Sequence, residues 1–177
     1  MLAAPAPAQQ TPEQRLDALD KRITRLEDMN QVEKLQRVYG YFVDKGQWTQ
    51  LSELFADDAT LEIGGKGLFL GKSRVLEYMQ TAFGKDGPKE GLLAQHMQFQ
   101  PIVDIAPDGK TAWVRSRAFV MSVGGWGLPL YEDEFTKAGG HWLIAKRRVL
   151  NEFLKGRQSG PTNPVRDMDG LAEASKK

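Results

Sequence analysis

Two residues of this sequence are best suited to moving protons. Asp44 closes an amphipathic segment whose other inward positions are apolar, and His96 opens a long segment of period-two alternation. A carboxylate in apolar surroundings is a stronger base than one in water. A histidine beside a carboxylate makes an acid–base pair that can remove a proton and return it to a leaving group. Gln98 and Gln100 share the strand face of His96 at period two, which makes an unusually polar stripe for a buried strand. Tyr39 and Tyr41 precede Asp44 and could steady a developing oxyanion. Two residues apart on a helix, they cannot both face one site. The bland alternatives are structural: Asp44 capping a turn before Gly46, His96 as a satisfied core histidine, and the tyrosines as packing residues.

Other candidates are less pointed. Trp48, Trp113, Trp126 and Tyr131 can supply an aromatic wall or simply core. Arg115 and Arg117 alternate with Val114 and Ser116, so both lie on one face of a strand; that face is either the site or a subunit interface. His141 follows Gly139-Gly140 in a turn and reads as solvated. Asp57-Asp58 has the composition of a metal pair, but adjacent side chains diverge and no His or Glu is spaced to join them. No metal is therefore expected. With no cysteine in the chain, thiolate chemistry, disulfides and cysteine-based metal sites are excluded.

The elements that must position these residues follow from periodicity. Thr11-Pro12-Glu13 opens a helix, with Thr as N-cap and Pro at the first helical position. Leu16, Leu19, Ile23 and Leu26 recur at spacings of three, four and three, a two-heptad seam bordered by charges. The seam is expected to pack on another subunit or across its own sheet. The period continues through Val32, Leu35, Val38, Tyr39 and Phe42 and stops at Gly46. A short helix is expected from Trp48 through Leu51, Leu54 and Phe55, ending at Asp57-Asp58, with a strand from Thr60 to Ile63, a Gly-rich loop through Gly64, Gly65 and Gly67, and a helix from Lys72 to Phe83. Four period-two strands follow: 93–105, 111–123, 130–137 and 142–153, with turns at Asp108-Gly109 and Gly139-Gly140 and a loose connection at 124–127. Helices first and long antiparallel strands after predict an α+β fold in which helices cover a curved sheet and enclose a pocket.

Composition sets outer bounds. The 177 residues suit one domain, expected at 11–155, with a leader at 1–10 and a flexible tail at 156–177. Lys and Arg total 24 against 23 acidic residues, which offers no basic footprint for nucleic acid. No apolar run is long enough for a transmembrane helix. Ala6-Pro7-Ala8 before Gln9-Gln10 has the small-residue look of the cleavage end of an export signal, without the basic and apolar regions that precede one. A periplasmic mature protein and a plain Ala/Pro leader on a cytoplasmic one are the two readings.

The run from Leu35 to Asp44, then Trp48, then Leu54-Phe55-Ala56-Asp57-Asp58-Ala59, resembles the opening of the SnoaL-like families of the nuclear transport factor 2-like superfamily. Gly71, His96, Asp108-Gly109-Lys110-Thr111-Ala112, Tyr131-Glu132-Asp133-Glu134-Phe135 and Gly140-His141-Trp142 continue the likeness, which spans roughly residues 27–153. The resemblance implies a cone-shaped fold around a small-molecule pocket. Its relatives include scytalone dehydratase, bile acid 7α-dehydratase, polyketide cyclases, ketosteroid isomerase and limonene epoxide hydrolase, which usually work without metal or organic cofactor. Bile acid dehydratase carries a Tyr and, five residues later, an Asp on its first helix, with a His on the sheet; Tyr39, Asp44 and His96 stand in matching places. Where the family often has Asn four residues after that His, this sequence has Gln100. The resemblance thus favours Tyr39 over Tyr41 and implies Asp44, His96 and Tyr39 as catalytic. Tyr41, Trp48, Gln98, Gln100, Arg117 and Tyr131 are the expected substrate contacts. The implied activity is a cofactor-independent lyase on a hydroxylated aromatic or polycyclic molecule, by dehydration or by formaldehyde-releasing cleavage of a lignin-derived aromatic dimer. Rival readings are an isomerase or epoxide hydrolase in the same pocket, and a non-catalytic binding or assembly module. Relatives commonly assemble as dimers or trimers, so a homodimer or homotrimer is expected.

Overall fold

Thr11 caps the first helix through a reciprocal pair: its hydroxyl accepts from the Gln14 N–H, and the Gln14 side chain accepts from the Thr11 N–H. From there α1 (Pro12–Lys45) runs without a break to Gly46, whose left-handed conformation ends it. The computed structural model describes residues 10–87, 94–122 and 125–154. Residues 1–9 and 155–177, which carry nearly all of the expected leader and tail, lie outside them.

After α1 come α2 (Trp48–Ser52), β1 (Phe55–Ile63), β2 (Gly67–Leu70), α3 (Lys72–Phe83), β3 (Ala94–Ile105), β4 (Thr111–Ser122), β5 (Gly125–Ala138) and β6 (His141–Leu154). The strands form one curved, unclosed sheet in the order β2-β1-β6-β5-β4-β3. All described pairings are antiparallel except β1 with β6, which is parallel; the long stretch of chain between them supplies the crossover that parallel neighbours need. The architecture is α+β, as the order of helical and period-two segments predicts.

Three boundaries differ from the sequence expectation. The short helix ends at Ser52, and the strand expected from Thr60 begins at Phe55. Phe55, Ala56, Ala59 and Leu61 are all buried, so sheet burial outweighs the helical spacing of Leu51, Leu54 and Phe55. The Gly-rich loop turns back into β2, pairing Leu70 with Thr60 and Gly67 with Ile63. The segment expected as a loose connection is already strand from Gly125.

The core lies between the concave sheet face and the helices. On β4 the inward residues Ala112, Val114, Ser116 and Ala118 are buried and small, which leaves room beside them for longer side chains from β3 and β5. Helix α1 buries Asp28, Val32, Gln36, Tyr39 and Gly40 against β3 and β6. Asp28 is an anchor rather than a stray charge: its carboxylate accepts from Lys137 Nζ at 2.6 Å and Trp142 Nε1 at 2.8 Å.

Candidate active site

The end of α1 meets the start of β3 because Gly40 permits it. A Cβ at Gly40 would stand 2.6 Å from the His96 carbonyl oxygen, well inside contact distance. One turn later Asp44 reaches the strand, and its Oδ1 lies 2.7 Å from His96 Nδ1. Both side chains are largely withdrawn from water, at 8% and 17% exposure. With Nδ1–H donating to the carboxylate, Nε2 of His96 is left as the free base, and the imidazole orientation is held. The geometry therefore gives the two residues separate roles: His96 as the group able to take a proton, and Asp44 as its positioning partner.

Gly40→Ala tests this contact. Alanine is the better helix former at an ordinary helical position, so any loss must come from the steric clash with β3. The expected result is a destabilisation of about 1–3 kcal/mol, the usual cost of an overpacked site, read by urea denaturation. Turnover should fall with it, because separating α1 from β3 lengthens the Asp44–His96 hydrogen bond.

Gln98 follows His96 on the same face of β3 and faces Ala118 of β4. Its amide nitrogen and oxygen are both buried and neither makes a hydrogen bond of good geometry with the protein. The amide is nonetheless near enough to the Tyr131 hydroxyl to oppose the rise in its pKa. Burial dominates there and pushes Tyr131 far above the ordinary phenol value. Burial likewise raises Tyr39, with the Arg147 charge partly offsetting it. Both hydroxyls thus remain protonated at neutral pH and can donate. The two rings meet edge to face at 6.3 Å.

Beneath them sits Arg147, wholly buried, its guanidinium 3.9 Å from the Tyr39 ring centroid and 5.1 Å from that of Tyr131. Asp133, equally buried, accepts from Nε at 2.9 Å and Nη2 at 2.7 Å. Gln36 closes the cluster, accepting from Arg147 Nη2 at 2.8 Å and donating to Asp133. Burial disfavours the Arg147 charge, but the adjoining Asp133 carboxylate more than compensates and its pKa is raised. Nη1 of Arg147 and the hydroxyl of Ser116 remain buried without a hydrogen-bond partner among the described residues.

The structure thus brings His96, Asp44, Gln98, Tyr131 and Tyr39 to the inner face of the sheet and adds Arg147, Asp133, Gln36 and Gly40, to which sequence reasoning gave no role. Strict alternation hides Arg147: it shares the phase of inward Val149 but lies three residues from inward Ile144, and only the register shift opposite Glu134 and Phe135 puts both on the inner face. Other candidates stand elsewhere. Tyr41 projects outward at 68% exposure, as its two-residue offset from Tyr39 requires. Gln100 leaves the His96 face because Gln100 and Pro101 together oppose Ser116 in a bulge; its φ is 50° and its side chain is exposed. Pro101 inside the strand was the available signal. Arg117 and Arg115 lie on the outer sheet face, where Arg115 pairs with Glu132 at 2.7 Å. Trp113 is outward too, as is Trp126, which stacks on Phe119. Trp48 is core, against Phe83. Asp57 is exposed and pairs with Lys72 at 3.0 Å. Among the described residues no three His, Asp or Glu side chains converge as a metal site would need.

The family model for the SnoaL-like domain matches residues 24–148. This chain belongs to the SnoaL-like family. Solved structures repeat the fold at low identity. A candidate scytalone dehydratase from Novosphingobium aromaticivorans superposes with a TM-score of 0.67 at 18% identity, covering 82% of this chain and 97% of its own. An NTF2-like protein with a cystatin-like fold from the same organism gives 0.66 at 21%, covering 80% and 92%. LinA gives 0.65 at 18%, covering 79% and 98%.

Proposed function

We propose that this SnoaL-like protein is a cofactor-independent lyase that eliminates water from a small hydroxylated aromatic or polycyclic molecule. The observation that carries the reading is the His96–Asp44 pair, hydrogen-bonded at 2.7 Å on the inner face of the sheet. A pocket built only to hold a ligand needs no oriented base. In the proposed step, Nε2 of His96 takes a proton from the carbon next to the hydroxyl-bearing carbon. The C–H electron pair becomes the double bond, the C–O bond breaks, and the hydroxide leaves as water with the proton His96 returns. Among the described residues the Gln98 amide, the Ser116 hydroxyl, the Tyr131 hydroxyl and Arg147 Nη1 are unpaired or weakly paired polar groups on that face. Buried polar groups of this kind favour a ligand that carries oxygen over a hydrocarbon.

Formaldehyde release from a hydroxymethyl group is the sister reaction of the same base: the O–H proton goes to His96, the C–C bond breaks, and the carbanion takes the proton back. The test is a panel of hydroxylated aromatic and polycyclic compounds, with products followed by mass spectrometry and an aldehyde trap. Loss of water without trapped aldehyde is the expected outcome. Trapped formaldehyde moves the protein to the sister reaction, and an isomeric or hydrated product removes it from the lyases. Activity should survive exhaustive dialysis against a chelator; its loss, restored by added metal, would show a metal-dependent step.

A further inference from the structure

We infer that the N-terminal arm of α1 is a parallel, in-register coiled-coil clasp for a second copy of this chain. N-terminal to Asp28 every residue of the helix is exposed, with Arg25 reaching back to Asp104, and Pro12 to Glu27 extends about 24 Å at the ordinary helical rise. Leu16, Leu19, Ile23 and Leu26 are 68%, 50%, 54% and 63% exposed, so their seam packs on nothing among the described residues of its own chain.

Nor can it. The spacing puts Leu16 and Ile23 at heptad a, and Leu19 and Leu26 at d. Asp28, which binds Lys137 and Trp142, falls at f, and Arg25, which pairs with Asp104 at 3.1 Å, falls at c. Val32 and Tyr39, buried farther along, fall at c as well. The side of α1 that grips the sheet is therefore the side opposite the seam. A straight helix that keeps Asp28 and Val32 buried must aim Leu16–Leu26 away from its own sheet.

The flanking charges choose the occupant. Arg15 and Arg22 stand at g, Asp20 and Glu27 at e. In a parallel in-register pair each g residue faces the e residue of the next heptad on the partner. Arg15 then meets Asp20 and Arg22 meets Glu27, in both directions. In an antiparallel pair g faces g and e faces e, which sets arginine against arginine and acid against acid. The sequence is thus complementary to itself in one orientation only. Ile23 at a with leucine at both d positions favours two strands. Past Glu27 the register reaches Asn30 and Glu33, so the clasp ends where the body begins.

The chain has no cysteine, so a single introduced thiol gives a clean probe. In the full-length protein, Leu19→Cys should form a disulfide-linked dimer on mild oxidation with diamide, because d meets d in the parallel pair at a distance a disulfide can span. Light scattering should show a dimer for the parent chain. Leu19→Asp should be a monomer with unchanged near-UV signal, since the arm holds no tryptophan. Arg15→Glu with Arg22→Glu should weaken dimerisation at least about tenfold at low salt and less at high salt. Adding Asp20→Arg and Glu27→Arg should restore it. A monomeric or trimeric parent chain overturns the inference. So does a dimer that survives Leu19→Asp, or a cross-link that forms only when Leu19→Cys and Ile23→Cys proteins are mixed.

Discussion

His96→Ala should lower turnover by about 10²–10⁴-fold while leaving the fold intact, the usual contribution of a positioned base. Asp44→Asn should fall in the same range by a different route. The asparagine amide can donate to Nδ1, which holds the imidazole in the wrong tautomer and moves the proton onto Nε2, where the base must be free. The double variant should be little worse than either single one, because the two residues act as one unit through a 2.7 Å hydrogen bond. Steady-state kinetics on whichever compound proves active, beside urea denaturation of each variant, makes the measurement. Two single variants with near-parent turnover would remove the pair from the chemistry and return His96 and Asp44 to a structural role.

The largest stability effect is expected at the buried ion pair. Asp133→Ala leaves the Arg147 guanidinium at zero exposure without its carboxylate, and takes from Gln36 one of its partners. Removing one member of such a pair typically costs about 3–5 kcal/mol, most of it the penalty of an uncompensated buried charge. Replacing both, as Asp133→Leu with Arg147→Met, should cost much less than Asp133→Ala alone, because no charge is then stranded. Thermal and urea unfolding of the two proteins read this directly. A double variant as unstable as the single one would mean that the pair is needed for shape rather than for charge balance. If Arg147 Nη1 also serves the ligand, the double variant will be folded and inactive.

The meeting of Asp44 and His96 was legible before any coordinates, since it needs only one residue near a helix end and one near a strand start. Why the two meet was not. Gly40 reads as an ordinary helical residue in the run from Leu35 to Asp44, and its role appears only when the His96 carbonyl is found where its side chain would be. Gln98 was readable from period two, whereas Gln100 obeyed the same pattern and failed, because a bulge next to Pro101 turns it outward.

Local signals were sufficient where the deciding interaction is local. The capping box at Thr11, the left-handed stop at Gly46, α3 from Lys72 to Phe83 and the four long strands each rest on hydrogen bonds or burial patterns within a few residues. The α+β class follows from their order. What sequence left open were questions about faces: whether Arg115 and Arg117 point in or out, and whether the N-terminal seam folds back or projects. A strand's alternation says that two residues share a side and does not say which side. That choice belongs to whatever covers the sheet. Only the packed structure, with Ser116 and Ala118 beneath the helices, Arg117 outside and Asp28 gripping β5 and β6, decides it.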